Sequence, residues 1–199
     1  GIDFDKFSPK SDISRTMGQI ITTASADVPL KGLDFTLQAI AVLIKDFPYL
    51  RLIIIGAPRI GGHTERLIQK LKIEANIVYK TNLTKEEIAI EYANSNIAVV
   101  SSLYEGFGFP VGEAMACSIP LIATNVASIP EITGNFAELI PACDSKSIER
   151  SIRNILSNPE KYQTRADKGR QHIIDNFDWK KIAQSYENLI YQTMEKFKC

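Results

Sequence analysis

Short aliphatic and β-branched runs alternate along this chain with stretches of helical period, and that alternation limits the fold more than any other feature. The runs are QIITTA at 19–24, RLIIIG at 51–56, IVY at 77–79, IAVVS at 97–101, LIAT at 121–124 and AELI at 137–140. Each reads as a strand, and IAVVS has the short apolar, β-branched character of one buried on both faces, as in a parallel sheet. Between them, Leu33, Leu37, Ile40, Ala41 and Ile44 form one helical stripe, stopped by Phe47-Pro48. Thr84 and Glu87 carry a capping-box signature for a helix reaching about Ala93. Further helices are expected over 64–72, over 145–156 with Ser145 or Ser147 as cap, and over 159–176, and a long amphipathic one from Trp179 to Phe197. The pattern implies an α/β fold: a Rossmann-like, doubly wound parallel sheet of about six strands with flanking helices and a long C-terminal helix. A ligand would sit at the carboxyl ends of the strands. With 199 residues there is room for a single domain, with 1–18 read as a hinge or linker and 178–197 as the terminal helix.

The stretch Tyr104 to Cys117, YEGFGFPVGEAMAC, carries the chemistry. Gly106 and Gly108 make a turn between the apolar run ending at Ser101 and a helix expected to open at Pro110, whose missing N–H costs nothing in a first turn. Strand, turn and helix N-terminus would aim free N–H groups at one point, which suits phosphate. Glu105 and Glu113 bracket that point and can accept hydrogen bonds from sugar hydroxyls; Glu113 is read into the same first turn, where the helix dipole favours a carboxylate.

Two glutamates spaced E-x7-E around GFGFP and followed by AMAC resemble the donor-site motif of family 4 (group 1) glycosyltransferases, retaining enzymes of the GT-B architecture. The similarity runs from GIDFDKF to FDWKKIAQSYENLI and is to their C-terminal, nucleotide-sugar-binding domain. The resemblance implies metal-independent transfer from a nucleotide-diphosphate sugar to an acceptor held by an N-terminal domain absent from this chain. It implies Glu105 at the transferred sugar, and Lys31 of the KG pair at the diphosphate. Glu113 would hold the ribose, and the backbone of Gly106, Phe107, Gly108, Phe109, Pro110 and Val111 the donor phosphates. Lys80, Thr81 and Leu83, in the loop before the third helix, would face the nucleobase. Many relatives carry a GR pair shortly before the KG lysine, where this chain has Ala24-Ser25-Ala26-Asp27. A second cation is therefore missing, and Arg59, in the loop that Gly56 opens, is the candidate replacement.

Two other readings stand beside this one. Gly106, Gly108 and Gly112 form a GxGxxxG variant after a strand, as in dinucleotide-dependent oxidoreductases. Yet LIAT is followed by Asn125 and not by the acidic residue that would hold a ribose. A nucleotide-sugar-binding module without turnover fits the same residues. Lysine plus arginine equals aspartate plus glutamate at 23 each, so no global field attracts nucleic acid. Three scattered cysteines and two histidines suggest neither disulfides nor a metal site, and no metal or other cofactor is expected. Asp3-Phe4-Asp5 is taken as a chance match to a DxD metal motif. No apolar run approaches the roughly 18–20 residues that span a bilayer. The chain opens on Gly1 and is read as a piece of a longer, cytoplasmic protein, with any membrane contact made through the missing domain.

Overall fold

The computed structural model describes residues 1–24 and 27–196. Ser25 and Ala26 of the expected cation position, Cys199 and the helix end at Phe197 lie outside them. The elements are β1 (Gln19–Thr23), α1 (Leu33–Leu43), β2 (Arg51–Ile55), α2 (His63–Leu71), β3 (Ile77–Lys80), α3 (Lys85–Asn94) and β4 (Ile97–Val100). After the central motif come α4 (Phe109–Ala116), β5 (Leu121–Thr124), α5 (Ile129–Thr133), β6 (Glu138–Ile140), α6 (Ser145–Ser157), α7 (Pro159–Phe177) and α8 (Trp179–Lys196).

All six strands pair in parallel in the order β3-β2-β1-β4-β5-β6. Winding proceeds outward from β1 to β3, then returns to β4 on the other side of β1. The crevice between the carboxyl ends of β1 and β4 is therefore the topological switch point, where a ligand can enter between diverging loops. The two-residue period of the strands sends alternate side chains to two cores. Ile20, Leu52, Ile54, Ile97 and Val99 join the α1, α2 and α6 side, while Ile21, Ile53, Ala98 and Val100 join the α3, α4 and α7 side. Each buried aliphatic side chain contributes about 1.5–3 kcal/mol, so continuous apolar strands are what a sheet covered on both faces requires.

Local signals match the elements closely, with informative exceptions. The capping box at α3 forms in full: Glu87 N–H donates to Thr84 Oγ1 at 3.2 Å and Thr84 N–H to Glu87 Oε2 at 2.7 Å. The cap of α6 is neither Ser145 nor Ser147. Asp144 fills it, accepting from Ser147 N–H at 3.0 Å and Ser147 Oγ at 2.6 Å, because an ionised side chain one residue earlier is the stronger acceptor. The segment read as a linker is anchored to the domain. Ile2 and Phe7 are buried, Ile2 N–H donates to the Phe177 carbonyl at 2.9 Å, and Phe7 meets Tyr92 edge-on. Arg15 bonds Gln163 Oε1 at 2.7 Å and the Ser118 carbonyl at 2.6 Å. By contrast α8 leaves Trp179, Tyr186, Leu189, Ile190, Tyr191 and Met194 exposed. No described helix is long and apolar enough to cross a membrane.

Two glycines define where backbone approaches closely. Gly32, between the β1–α1 loop and α1, has φ +60°, and a Cβ there would lie 2.0 Å from the Ser101 carbonyl oxygen. Gly112 lies inside α4, and a Cβ there would meet only the flexible Ile2 side chain, at 2.5 Å. Gly32→Ala should therefore cost about 2 kcal/mol or more, from left-handed backbone strain plus a clash with main chain. Gly112→Ala should stay within about 1 kcal/mol of the parent, because helix propensity offsets the displacement of Ile2. Urea unfolding of the two variants measures both, and equal losses would refute this division.

Candidate functional site

Lys31 and Glu105 are 74 residues apart in sequence, and a side-chain and backbone clamp brings them together. Ser101, just past β4, donates through Oγ to the carbonyls of Lys31 at 3.1 Å and Gly32 at 3.0 Å, and Thr36 Oγ1 donates to Ser101 Oγ at 2.9 Å. Leu103 N–H donates to the Leu30 carbonyl at 2.7 Å. The β1–α1 loop is thus fastened to the β4–α4 loop along the switch point. Lys31 Nζ then lies 2.6 Å from Glu105 Oε1, and Ser102 Oγ donates to the same oxygen at 2.6 Å.

The loop from Glu105 into α4 is held open. Ser128 Oγ reaches the carbonyls of Glu105 at 3.0 Å and Phe107 at 3.1 Å, so those oxygens face away from the crevice and toward α5. Among the described residues no protein acceptor takes the N–H groups of Gly106, Phe107, Gly108 or Phe109. Gly106 is exposed with nothing within 4 Å of a Cβ, and Gly108 caps α4 at φ +85°. Phe107 and Phe109 pack with ring centroids 4.9 Å apart and planes tilted by 54°. An anion at this point would meet four donors, the positive end of a helix and a nearby ammonium.

Other residues singled out in the sequence have different surroundings. Pro110 supplies no N–H. Val111 N–H is taken by the Gly108 carbonyl at 2.9 Å, and its side chain is wholly buried, so Val111 supports the turn from behind. Gly56 N–H donates to the Lys80 carbonyl at 2.9 Å, extending the sheet, and Lys80 Nζ pairs with Glu91 at 3.1 Å. Thr81 is exposed at the carboxyl edge, while Leu83 is half-buried against the core. Arg59 has a side chain 76% exposed and lies 4.0 Å from Asp27 Oδ2. Asp27 accepts from Thr64 N–H at 2.7 Å and Thr64 Oγ1 at 2.9 Å, which places a carboxylate on the first turn of α2. A cavity of about 410 Å³ opens beside Gly32, lined by Val28, Leu33, Phe35, His63 and Leu103. Neither glutamate lines it; the switch-point site is an open ledge.

Glu113 requires a correction. Helix α4 starts at Phe109, which puts Glu113 in its second turn, beyond the reach of the free N–H groups that would favour its charge. Burial instead raises its pKa to about 7, partly opposed by Lys85, and no side-chain hydrogen bond reaches it among the described residues. Its neighbourhood is Tyr92, buried in α3, whose hydroxyl shares a hydrogen bond with Thr23 Oγ1 at the end of β1 at 3.0 Å and reaches the Pro110 carbonyl at 3.4 Å. Glu113 is thus a partly buried carboxyl group one helical turn inward from Phe109. Asp3 accepts from Lys6 N–H at 3.3 Å. Ser101, Ser102 and Ser128 escaped the sequence reading, because isolated serines carry no spacing that announces a partner.

The elevated Glu113 pKa fixes a sign for stability. Between the ordinary carboxyl value and about 7, the folded chain binds more protons at this residue than the unfolded chain does. Its contribution is therefore fully present below the unfolded pKa and is lost as pH rises through about 7. Glu113→Gln should flatten that part of the stability profile, read by urea unfolding at several pH values, and an unchanged slope would contradict the assignment.

The sequence profile of the glycosyl transferases group 1 family matches residues 4–172. The MMP alpha-(1->4)-mannosyltransferase of Mycolicibacterium hassiacum is 34% identical over 187 residues, covering 92% of this chain and 44% of that protein. A GDP-mannose-dependent alpha-(1-6)-phosphatidylinositol monomannoside mannosyltransferase of Mycolicibacterium smegmatis is 23% identical, covering 90% and 52%. Among solved structures, the sucrose-phosphate synthase of Thermosynechococcus elongatus superposes with a TM-score of 0.87 at 25% identity, over 98% of this chain and 52% of the other. The chain thus spans about half the length of these curated relatives.

Proposed function

This chain belongs to the group 1 glycosyl transferases, and we propose from that premise that it binds a nucleotide-diphosphate sugar and serves as the donor half of a retaining, metal-independent glycosyltransferase. The observation that carries the reading is the run of N–H groups from Gly106 to Phe109, without a protein acceptor among the described residues, at the start of α4 next to the Lys31–Glu105 pair. The diphosphate lies against the N–H groups, and Lys31 supplies the cation. Glu113 accepts from ribose hydroxyls, Glu105 from hydroxyls of the transferred sugar, and the base extends toward Lys80, Thr81 and Leu83. The GDP-mannose named for one relative is a donor of this class.

When the bond between the anomeric carbon and the diphosphate oxygen breaks, its electron pair stays on the diphosphate. Negative charge therefore grows where the N–H groups and Lys31 point, and a preorganised array of donors stabilises it without reorganising. Glu105 orients the sugar and faces the positive charge that develops on its ring. The acceptor is held by a further domain of the full-length protein, and its hydroxyl enters on the face the diphosphate leaves. Neither acceptor chemistry nor a second catalytic wall is supplied by the 199 residues.

Calorimetric titration with UDP, GDP and their sugar conjugates tests this reading. Lys31→Ala should weaken nucleoside diphosphate binding about tenfold or more, the scale of one charge-assisted hydrogen bond. Glu113→Gln should weaken the diphosphate and its sugar conjugate equally, because both carry the ribose. Excess EDTA should change neither affinity, and the chain alone should transfer no sugar. Binding that depends on added divalent metal would overturn the proposed source of positive charge. Binding with no transfer, even in the full-length protein, would favour a module without turnover.

A further inference from the structure

The ion pair between Lys31 and Glu105 joins the two groups to which the proposed function gives different parts of the donor. Lys31 Nζ and Ser102 Oγ converge on one oxygen of Glu105, and the Glu105 side chain is only 10% exposed, against 30% for Lys31. The clamp through Ser101 and Leu103 holds the backbone of Lys31 beside the loop that carries the N–H groups of Gly106–Phe109, and its ammonium rests on Glu105. An anion on those groups competes with Glu105 for the same cation.

We propose that this pair is an internal competitor that makes the site prefer an intact sugar nucleotide over the bare nucleoside diphosphate. The inference rests on the reading of the site given above. A bare diphosphate can draw Lys31 away only by leaving a nearly buried carboxylate with Ser102 as its one remaining donor, which is costly. An intact donor brings sugar hydroxyls to Glu105 as its diphosphate takes Lys31, so both charges stay paired. The same exchange favours turnover. Once the sugar has left, Glu105 is stripped of its hydroxyl partners, recovers Lys31, and the diphosphate loses its cation. Glu105 thus acts on free nucleotide as well as on sugar.

Two variants with opposite expected signs decide the matter in titrations of UDP, GDP, UDP-glucose and GDP-mannose. Glu105→Gln, which releases Lys31, should bind the better diphosphate about fivefold or more tightly than the parent while losing the preference for the sugar conjugate. Ser102→Ala, which leaves Glu105 dependent on Lys31, should bind the bare diphosphate more weakly and the sugar conjugate with a smaller loss. A merely structural role would weaken all ligands in parallel. If the parent binds diphosphate but Glu105→Gln binds it equally or less well, the competition is refuted and the functional reading survives. If Glu105→Gln does not fold, Ser102→Ala decides alone, and an unchanged ratio of the two affinities refutes the competition. If neither parent nor variants bind any nucleotide, the functional reading fails with it.

Discussion

The site depends on one close approach of main chain to main chain. Gly32 lies against the Ser101 carbonyl where no side chain could fit, and the Ser101 hydroxyl, supported by Thr36, fastens the carbonyls of Lys31 and Gly32. Parallel strands β1 and β4 guarantee that their carboxyl ends lie side by side, but not that the loops leaving them touch. The clamp supplies that contact. It converts two loops that would otherwise diverge into one ledge with a cation from the first and a carboxylate and N–H groups from the second.

Electrostatics on the ledge are arranged by what is left unpaired. Ser128 draws the carbonyls of Glu105 and Phe107 to one side, which leaves the neighbouring N–H groups facing the crevice. Glu113 is half-buried and makes no side-chain hydrogen bond among the described residues, and burial raises its pKa. A buried acceptor without a partner is unfavourable for folding, and it becomes favourable only when a donor arrives. Farther out, Asp27 occupies the start of α2, where it accepts from Thr64 N–H, with the exposed Arg59 4.0 Å away.

The layers on either side of the sheet set the limits of this arrangement. Helix α4 carries the candidate site at one end while its buried side, with Val111, Ala114 and Met115, is part of the core. Its position is held by Ile2 and α7, so the N-terminal segment and the helix before α8 both support the ledge from a distance. The exposed aromatic and aliphatic side chains of α8 have no such role within the domain.

By itself the amino-acid sequence determined the fold class, because six apolar runs separated by helical stripes have few ways to bury both faces of a sheet. It also made the turn that opens α4 legible, since Gly106, Gly108 and Pro110 constrain backbone locally and their spacing can be read directly. Some local signals were outweighed by a neighbouring residue or by a one-residue shift in a helix start. Asp144 displaced the expected serine caps through its stronger charge, and Glu113 moved out of the first turn because α4 begins at Phe109. Only the tertiary structure decided that Lys31 meets Glu105, that Ser128 turns two carbonyls aside, and that Val111 is core. Each of these depends on contacts between residues far apart in sequence, which a strand or helix period cannot encode.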